Sequence, residues 1–295
     1  MTSIINHSCT ANTICFARED FSFVCRAVTD IQEGEELTTN YLYHQYHFYG
    51  LSYRAEELQD FWHFTCNCSR CQDMTELGTM SDSILCTTCG SGLLIPGTQS
   101  SYWVCSKCDM RSSSREVSNR VNHWWNVIQE ADASDITLCM DLLEQLGGLF
   151  HKNHYYVMEV KRRLIENIGS AEGFESEDIA IAWLEKKVEY CKEHLSLQLV
   201  LAPGLSEYRA YISSLMAGAL YWLAKKQFAI SQLTREQVVK TMKTVSEHLV
   251  MVISIWGPYR RGSHERMVAD EAQALLEQVE REFVQELKKR CICGI

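Results

Sequence analysis

Apolar residues change rhythm twice along this 295-residue chain. Over residues 1–45 they fall into short β-branched and aromatic runs. Thr13-Ile14-Cys15-Phe16-Ala17 and the stretch from Phe21 to Ala27 flank Arg18-Glu19-Asp20, which predicts a β-hairpin. In the stretch from Ile31 to Leu42, Gly34 marks a turn before a further short strand. Residues 46–64 are aromatic and hold one short helical pattern. From 65 to 110 the periodicity gives way to cysteine pairs, with Gly90, Gly92, Pro96 and Gly97 between them. Beyond Ser114 the pattern becomes helical. Ser113 and Glu116 form a capping box, and Val117, Val121, Trp124 and Ile128 recur at helical spacing. Further helices are predicted over 136–146, 154–168, 177–195, 206–224, 235–255 and 264–289. Thr234 with Gln237 is a second capping box, and Trp256-Gly257-Pro258 closes the helix that it opens. In the last helix Val268, Ala272, Leu275, Leu276, Val279, Phe283 and Leu287 make one apolar stripe.

This pattern predicts an α+β protein: a small β-rich region, a cysteine-rich middle, and seven helices stacked as antiparallel pairs in a bundle or short superhelix. No strict repeat period is present, so helix pairing is predicted without a repeat count. The aromatic stripes read as core packing.

The charge balance narrows the function. A formal net charge of -10 argues against a chain built to grip a nucleic-acid backbone. The basic groups Lys161-Arg162-Arg163 and Lys288-Lys289-Arg290 read as solvated helix faces. No apolar run reaches the roughly 18 residues of a membrane span. The first residues lack the basic and apolar parts of a signal peptide. With fourteen cysteines, the expectation is a cytoplasmic or nuclear protein whose thiols bind metal instead of forming disulfides.

Cys86-x2-Cys89 and Cys105-x2-Cys108, fifteen residues apart, are two close thiolate pairs able to close a tetrahedron around zinc. Four thiolates leave no open coordination position, so this metal is structural. Cys66, Cys68 and Cys71 offer only three thiolates and require a distant fourth ligand. Cys9 or His63 can supply it. Of the remaining cysteines, Cys15, Cys25, Cys139 and Cys191 read as small buried hydrophobes, and Cys291-Ile-Cys293 as a frayed tail.

Taken together, "NHSCTANT", "GEELTTNYL" and "FTCNCSRC" resemble the motifs of SET-domain methyltransferases of the SET-and-MYND (SMYD) kind. "HKNHYYVMEVKRRLI" resembles the start of that family's helical domain. The zinc module at 86–108 suggests an arthropod-like branch. The resemblance implies four regions: the C-terminal half of a SET domain (1–45), a post-SET zinc segment (46–73), a zinc module (74–113) and a TPR-like helical domain (114–295). It implies S-adenosylmethionine as methyl donor, two zinc ions, and the lysine of a histone or non-histone protein as acceptor. By position, Asn6 and His7 line the cofactor pocket, Phe64 lies against the adenine, Cys9 is the fourth zinc ligand, and Tyr41 is the active-site tyrosine.

Two residues depart from the family pattern. Ala11 stands where proline is usual, and Trp62 where many relatives place a tyrosine. The earlier half of the SET domain and the MYND finger have no counterpart in these 295 residues. The expectation is therefore an incomplete cofactor site, inactive by itself. The alternative is a non-catalytic zinc-binding scaffold that holds protein partners through its helices.

Overall fold

A computed structural model describes residues 4–43, 47–97 and 102–292, with side chains of the last helix through Glu282. The architecture is α+β. In the first sheet β1 (Asn6–His7), β2 (Thr13–Ala17), β3 (Phe23–Ala27) and β4 (Thr38–Thr39) lie in the order β1-β4-β2-β3. The expected hairpin is β2–β3, antiparallel, with Thr13 opposite Ala27 and Ala17 opposite Phe23. Gly34 turns with φ 85°, a left-handed conformation that glycine adopts without a Cβ clash. The chain then returns so that β4 runs parallel to β1, setting Asn6 beside Thr38 and His7 beside Thr39.

The short helix of the aromatic segment is α1 (Leu51–Trp62). Its first turn is capped from outside the helix. Asp82 Oδ2 accepts from the backbone N–H of Leu51 at 2.6 Å, and Gly50 leaves room for it. A Cβ on Gly50 would lie 1.6 Å from Asp82 Oδ1. One turn, α2 (Ser69–Gln72), follows. A second sheet comes next, an antiparallel meander of β5 (Ile84–Leu85), β6 (Leu93–Pro96), β7 (Tyr102–Cys105) and β8 (Arg111–Ser113). Its strands, two to four residues long, are too short to show a period of two.

Helices α3 (Ser114–Glu130), α4 (Ile136–Gly147), α5 (Tyr155–Asn167), α6 (Ile181–Leu201), α7 (Glu207–Ala229), α8 (Arg235–Trp256) and α9 (His264–Ile292) complete the fold. Both capping boxes form as expected. Gly257 caps α8 in the right-handed region, without the left-handed turn that glycine there suggests. Helix α6 starts at Ile181 instead of 177, because residues 170–179 are held in turns such as Ile179 N–H to Glu175 O. It then runs on to Leu201, burying Leu197 and Leu201, and stops before Pro203, which disfavours helical backbone at Ala202. In α9 Ala272, Leu276 and Val279 are buried as the stripe predicts. Phe283, Leu287, Lys288, Lys289, Arg290, Cys291 and Cys293 lie outside the described side chains.

The expectation for the first basic group is corrected. The basic group 161–163 is not a solvated face. Lys161 and Arg163 are buried; Lys161 pairs with Glu193, and Arg163 with Glu159 at 3.1 Å while donating to the Ile128 carbonyl at 2.6 Å. Glu159 also pairs with Arg162 and accepts from the Tyr49 hydroxyl at 3.0 Å. Charges this deep are tolerable because each meets an opposite charge.

Among the described residues two large apolar cores result, beside a small one at Leu42 and Leu58. One gathers α3 to α7, the second sheet and Phe48-Tyr49. The other gathers α7, α8, α9 and the β2–β3 hairpin, where Phe16 stacks on Tyr259 at 4.4 Å between centroids. Gly204, at φ 84°, passes so close to the sheet that a Cβ would lie 1.8 Å from the Val28 carbonyl oxygen. Among the described residues, no helix is long and apolar enough to cross a membrane.

Candidate functional site

The sulfurs of Cys9, Cys66, Cys68 and Cys71 lie within 4.8 Å of one another. Cys9 sits in the turn after β1, Cys66 and Cys68 in extended chain after α1, and Cys71 in α2. Leu42 and Leu58 pack beneath them. Zinc–sulfur bonds of about 2.3 Å in a regular tetrahedron set sulfurs about 3.8 Å apart. Cys9 and Cys71 are 3.5 Å apart, so the donor set fits zinc. The other candidate, His63, is exposed, adopts a left-handed φ of 57° after α1 and turns its ring to the Gln59 carbonyl at 3.1 Å. It is not in the group. Hydrogen bonds from Cys66, then Cys71 and Cys9, hold the Cys68 thiol far below the usual thiol range. Four sulfurs this close cannot all ionise without a cation between them.

A buried ionic network supports this group. Arg54, 0% exposed, donates Nε to Cys9 Sγ at 3.3 Å and another guanidinium nitrogen to Cys71 Sγ at 3.5 Å. It also pairs with Glu76 at 2.8 Å. Glu76 pairs in turn with Arg70 at 2.7 Å, and Arg70 donates to the carbonyls of His47 and Tyr49. The sequence reading missed all three residues. Arg54 and Glu76 are separated by 21 residues that carry the cysteine triad, and nothing in local pattern pairs them.

The second donor set, Cys86, Cys89, Cys105 and Cys108, also lies within 4.8 Å. Cys86 and Cys108 are 3.8 Å apart, Cys89 and Cys105 3.7 Å, again the spacing of a zinc tetrahedron. Backbone N–H groups of Ser91 and Gly92 lower the Cys89 thiol to about 6. Gly90 turns with φ 64°, and a Cβ on Gly92 would lie 2.4 Å from Cys105 Sγ. The glycines are part of the cradle.

Beside the first group opens a cleft of about 570 Å³ lined by Asn6, His7, Glu36, Thr38, Tyr41 and Phe64, among others. All four residues assigned from the motifs to cofactor and catalysis therefore meet at one place. The β1–β4 pairing makes this possible, because it brings the residues before Cys9 against those before Tyr41. His7 Nδ1 accepts from the Tyr41 backbone N–H at 3.0 Å, and Nε2 lies 3.3 Å from Cys9 Sγ. Burial lowers the His7 ring to about 4, with the Cys68 thiolate opposing and Arg54 adding to the shift. The ring is therefore neutral at pH 7. The Tyr41 hydroxyl donates to the Ile5 carbonyl at 2.6 Å, and its ring lies 4.5 Å from Trp62. The Phe64 ring stands edge-on to His7 at 5.7 Å. Asn6, exposed, donates to Glu36 Oε1 at 2.6 Å. Asn12 is the strut of this wall: its amide bonds Glu35 Oε1 at 3.0 Å, the Glu36 carbonyl at 2.9 Å and the Thr38 N–H at 2.8 Å. Its place at the end of "NHSCTAN" was the only sequence signal for it.

Residues 1–42 match the SET domain family. The protein SmydA-8, isoform A, of Drosophila melanogaster, named as SET domain-containing, is 36% identical over 113 residues, which are 37% of this chain and 24% of that protein. The histone-lysine N-methyltransferase ASHR1 of Arabidopsis thaliana is 24% identical over 191 residues, 58% of this chain and 38% of that protein. The N-lysine methyltransferase SMYD2-B of Danio rerio is 36% identical over 69 residues, 23% and 15% respectively. The chain thus spans well under half the length of these relatives. Residues 1–42 thus carry the SET-domain match, and the matches to SmydA-8 and SMYD2-B make the chain similar to SMYD-type SET-domain proteins.

Proposed function

We propose that the cleft beside Cys9 is the cofactor and methyl-transfer site of an S-adenosylmethionine-dependent protein-lysine N-methyltransferase. The observation that carries this reading is the convergence of Asn6, His7, Tyr41 and Phe64 on one cleft, beside a four-cysteine group. The cofactor would supply a methyl group on a sulfonium sulfur. The residues have simpler tasks. Asn6 and the His7 backbone offer polar contacts to it, and Phe64 a flat apolar surface for a base. The Tyr41 phenol, held by the Ile5 carbonyl, would orient a neutral lysine amine and stabilise changing charge at the transfer. Alignment and exclusion of water supply most of the acceleration in such an in-line transfer.

In this reading zinc fills both cysteine groups. The acceptor is a protein lysine, histone or non-histone, in the cytoplasm or nucleus; the helices hold protein partners. SmydA-8 of Drosophila among the relatives favours an arthropod-like branch. Asn6 is exposed and Ile4 is 76% exposed, so this wall of the cleft desolvates a ligand poorly. Residues 1–295 by themselves then bind the cofactor weakly, with Kd above about 100 µM, and turn over little. The alternative is a non-catalytic scaffold, favoured by the commitment of the Tyr41 hydroxyl to backbone.

Backbone amide NMR of the zinc-loaded chain tests the site. Millimolar S-adenosylmethionine should shift the resonances of Asn6, His7 and Phe64, and Asn6→Ala should abolish the effect. Shifts confined to other regions would refute the assignment. Micromolar binding, or rapid transfer of labelled methyl to histones or other proteins, would refute weak binding and low turnover. Where transfer is measurable, Tyr41→Phe should lower it about 100-fold; an unchanged rate would favour the scaffold reading.

A further inference from the structure

Cys15 and Cys25 belong to neither metal group, and they are not the buried hydrophobes that their surroundings in sequence suggest. Cys139 and Cys191 are buried at 1% and 0% exposure, whereas Cys15 and Cys25 are half-buried. They face each other directly across the β2–β3 ladder. The hydrogen bonds of that ladder fix the kind of pair. Arg18 N–H donates to the Ser22 carbonyl and Val28 N–H to the Asn12 carbonyl, each at 2.9 Å. Antiparallel pairs alternate, so 12/28, 14/26, 16/24 and 18/22 are hydrogen-bonded pairs, and Cys15/Cys25 falls between them. At such a position the Cα atoms are about 4.5 Å apart and the side chains are at their closest, inside the Cα range of about 4.4–6.8 Å that a disulfide spans.

The two side chains leave the sheet on the face opposite Phe16, which is buried against Tyr259. They therefore stand outside the second core. Burial, and then the neighbouring Cys25, raises the Cys15 thiol to about 11, so the attack on peroxide is slow and the close backbone pairing favours the second step.

We propose that Cys15 and Cys25, opposed at a non-hydrogen-bonded pair of the hairpin, form a reversible cross-strand disulfide when a hydroperoxide oxidises them. One sulfur attacks the peroxide O–O bond and becomes a sulfenic acid, and with hydrogen peroxide the leaving oxygen departs as water. The second thiol attacks that sulfur, expelling the hydroxyl as a second water. Two thiols and one hydrogen peroxide give one disulfide and two waters; the sulfurs lose two electrons and the peroxide gains them. Cys139 and Cys191 are excluded by burial, and the metal-group thiols are protected while coordinated. The staple clamps the hairpin whose other face docks on α8, where Arg26 donates to the carbonyls of Ser254 at 3.0 Å and Ile255 at 3.3 Å.

The test uses the full zinc-loaded chain. It is treated with hydrogen peroxide in small excess, blocked with N-ethylmaleimide and digested with trypsin without reductant. Cleavage after Arg18 and Arg26 releases residues 1–18 and 19–26, which hold Cys15 and Cys25. The expected product joins these peptides, disappears with dithiothreitol, and is absent from Cys15→Ser and from Cys25→Ser. Two alkylatable thiols are lost per chain and bound zinc is unchanged. Three results would overturn the proposal: a link that survives Cys15→Ser and so runs through Cys9; both thiols still alkylated after a tenfold excess of peroxide; or sulfinic acid on one cysteine with no link. Because zinc and cofactor binding are read separately, failure here leaves the methyltransferase reading intact.

Discussion

Replacing Arg54 with methionine should damage both the fold and the first metal group. The substitution keeps much of the side-chain volume and removes a fully buried charge. It deletes the N–H contacts to Cys9 and Cys71, the donation to the Tyr49 carbonyl at 2.5 Å and two bonds to Glu76. Breaking a buried ion pair costs about 3–5 kcal/mol, because the remaining charge is stranded. Here Arg70 still holds Glu76 at 2.7 Å and also reaches the Tyr49 carbonyl at 2.7 Å. The expected loss is therefore the lower end, about 3 kcal/mol. Metal binding should suffer separately. Four thiolates around a divalent ion carry two net negative charges, and Arg54 is a cation in direct contact with two of the sulfurs. Charge-assisted hydrogen bonds are worth about 1.5–3 kcal/mol, which predicts a metal affinity lower by about tenfold to a hundredfold. Guanidinium denaturation of the metal-loaded protein reads the first effect, and competition with a coloured chelator the second. Arg281→Met is the control: its pair with Glu277, at 4.0 Å with both partners over half exposed, should cost under about 1 kcal/mol. An Arg54→Met protein as stable as the control and with unchanged metal affinity would refute the argument.

Zinc measured by atomic emission should be two ions per chain, falling to one in Cys9→Ser; two ions retained in that variant would remove Cys9 from the donor set. Asp82 should make stability depend on pH. Burial first, and then the Glu76 charge, raise its carboxyl from 3.8 to about 6, against Arg54 and the N–H groups of Leu51 and Ser52. A folded-state value above the unfolded one means that the folded protein takes up the proton first, so this contribution is present below about pH 4 and is lost as pH rises through about 6. Asp82→Asn keeps an acceptor for the α1 cap without the charge, and should exceed the wild type by about 1–3 kcal/mol at pH 7.5 but not at pH 4; parallel stability curves across that range would contradict it. Gly204→Ala sets a Cβ against the Val28 backbone at a left-handed φ, so the thermal midpoint should drop by several degrees. A midpoint within one degree of wild type, measured by circular dichroism, would show that the sheet can yield there.

Much of this was legible in the chain because its signals are local. A capping box spans four residues, so Ser113–Glu116 and Thr234–Gln237 announce their helices. Cys-x2-Cys pairs announce a metal by spacing alone. Three of the four cysteines of the first group were local too, and the thiolate count demanded a fourth donor without choosing between Cys9 and His63. The choice was tertiary: Cys9 meets the triad only through a long-range contact with no periodic signature. For the same reason Arg54, Glu76, Arg70 and Asp82 were invisible, since a buried charge has no pattern until its partner is known. The 161–163 basic group misled because a run of positive charge looks the same on a solvated face and opposite Glu159 and Glu193.

The same long-range contact explains why a metal-binding group belongs beside this cleft. Cys9 follows His7 by two residues, and Cys66 follows Phe64 by two. An ion shared by Cys9 and Cys66 would therefore fix both walls of the cleft at once, where His7 and Phe64 meet edge to face at 5.7 Å. Closing a loop of roughly 58 residues costs about 4 kcal/mol of chain entropy. The aromatic contact returns only about 1 kcal/mol, and Leu42 and Leu58 form a small core. Zinc binding of about 10–16 kcal/mol exceeds the difference comfortably. The short β1–β4 ladder is two residues long and cannot hold the register by itself. On this reckoning the cleft depends on the first group's ion, and loss of that ion alone, as in Cys9→Ser, should open the cleft before the helices melt, whose cores contain neither Cys9 nor the triad.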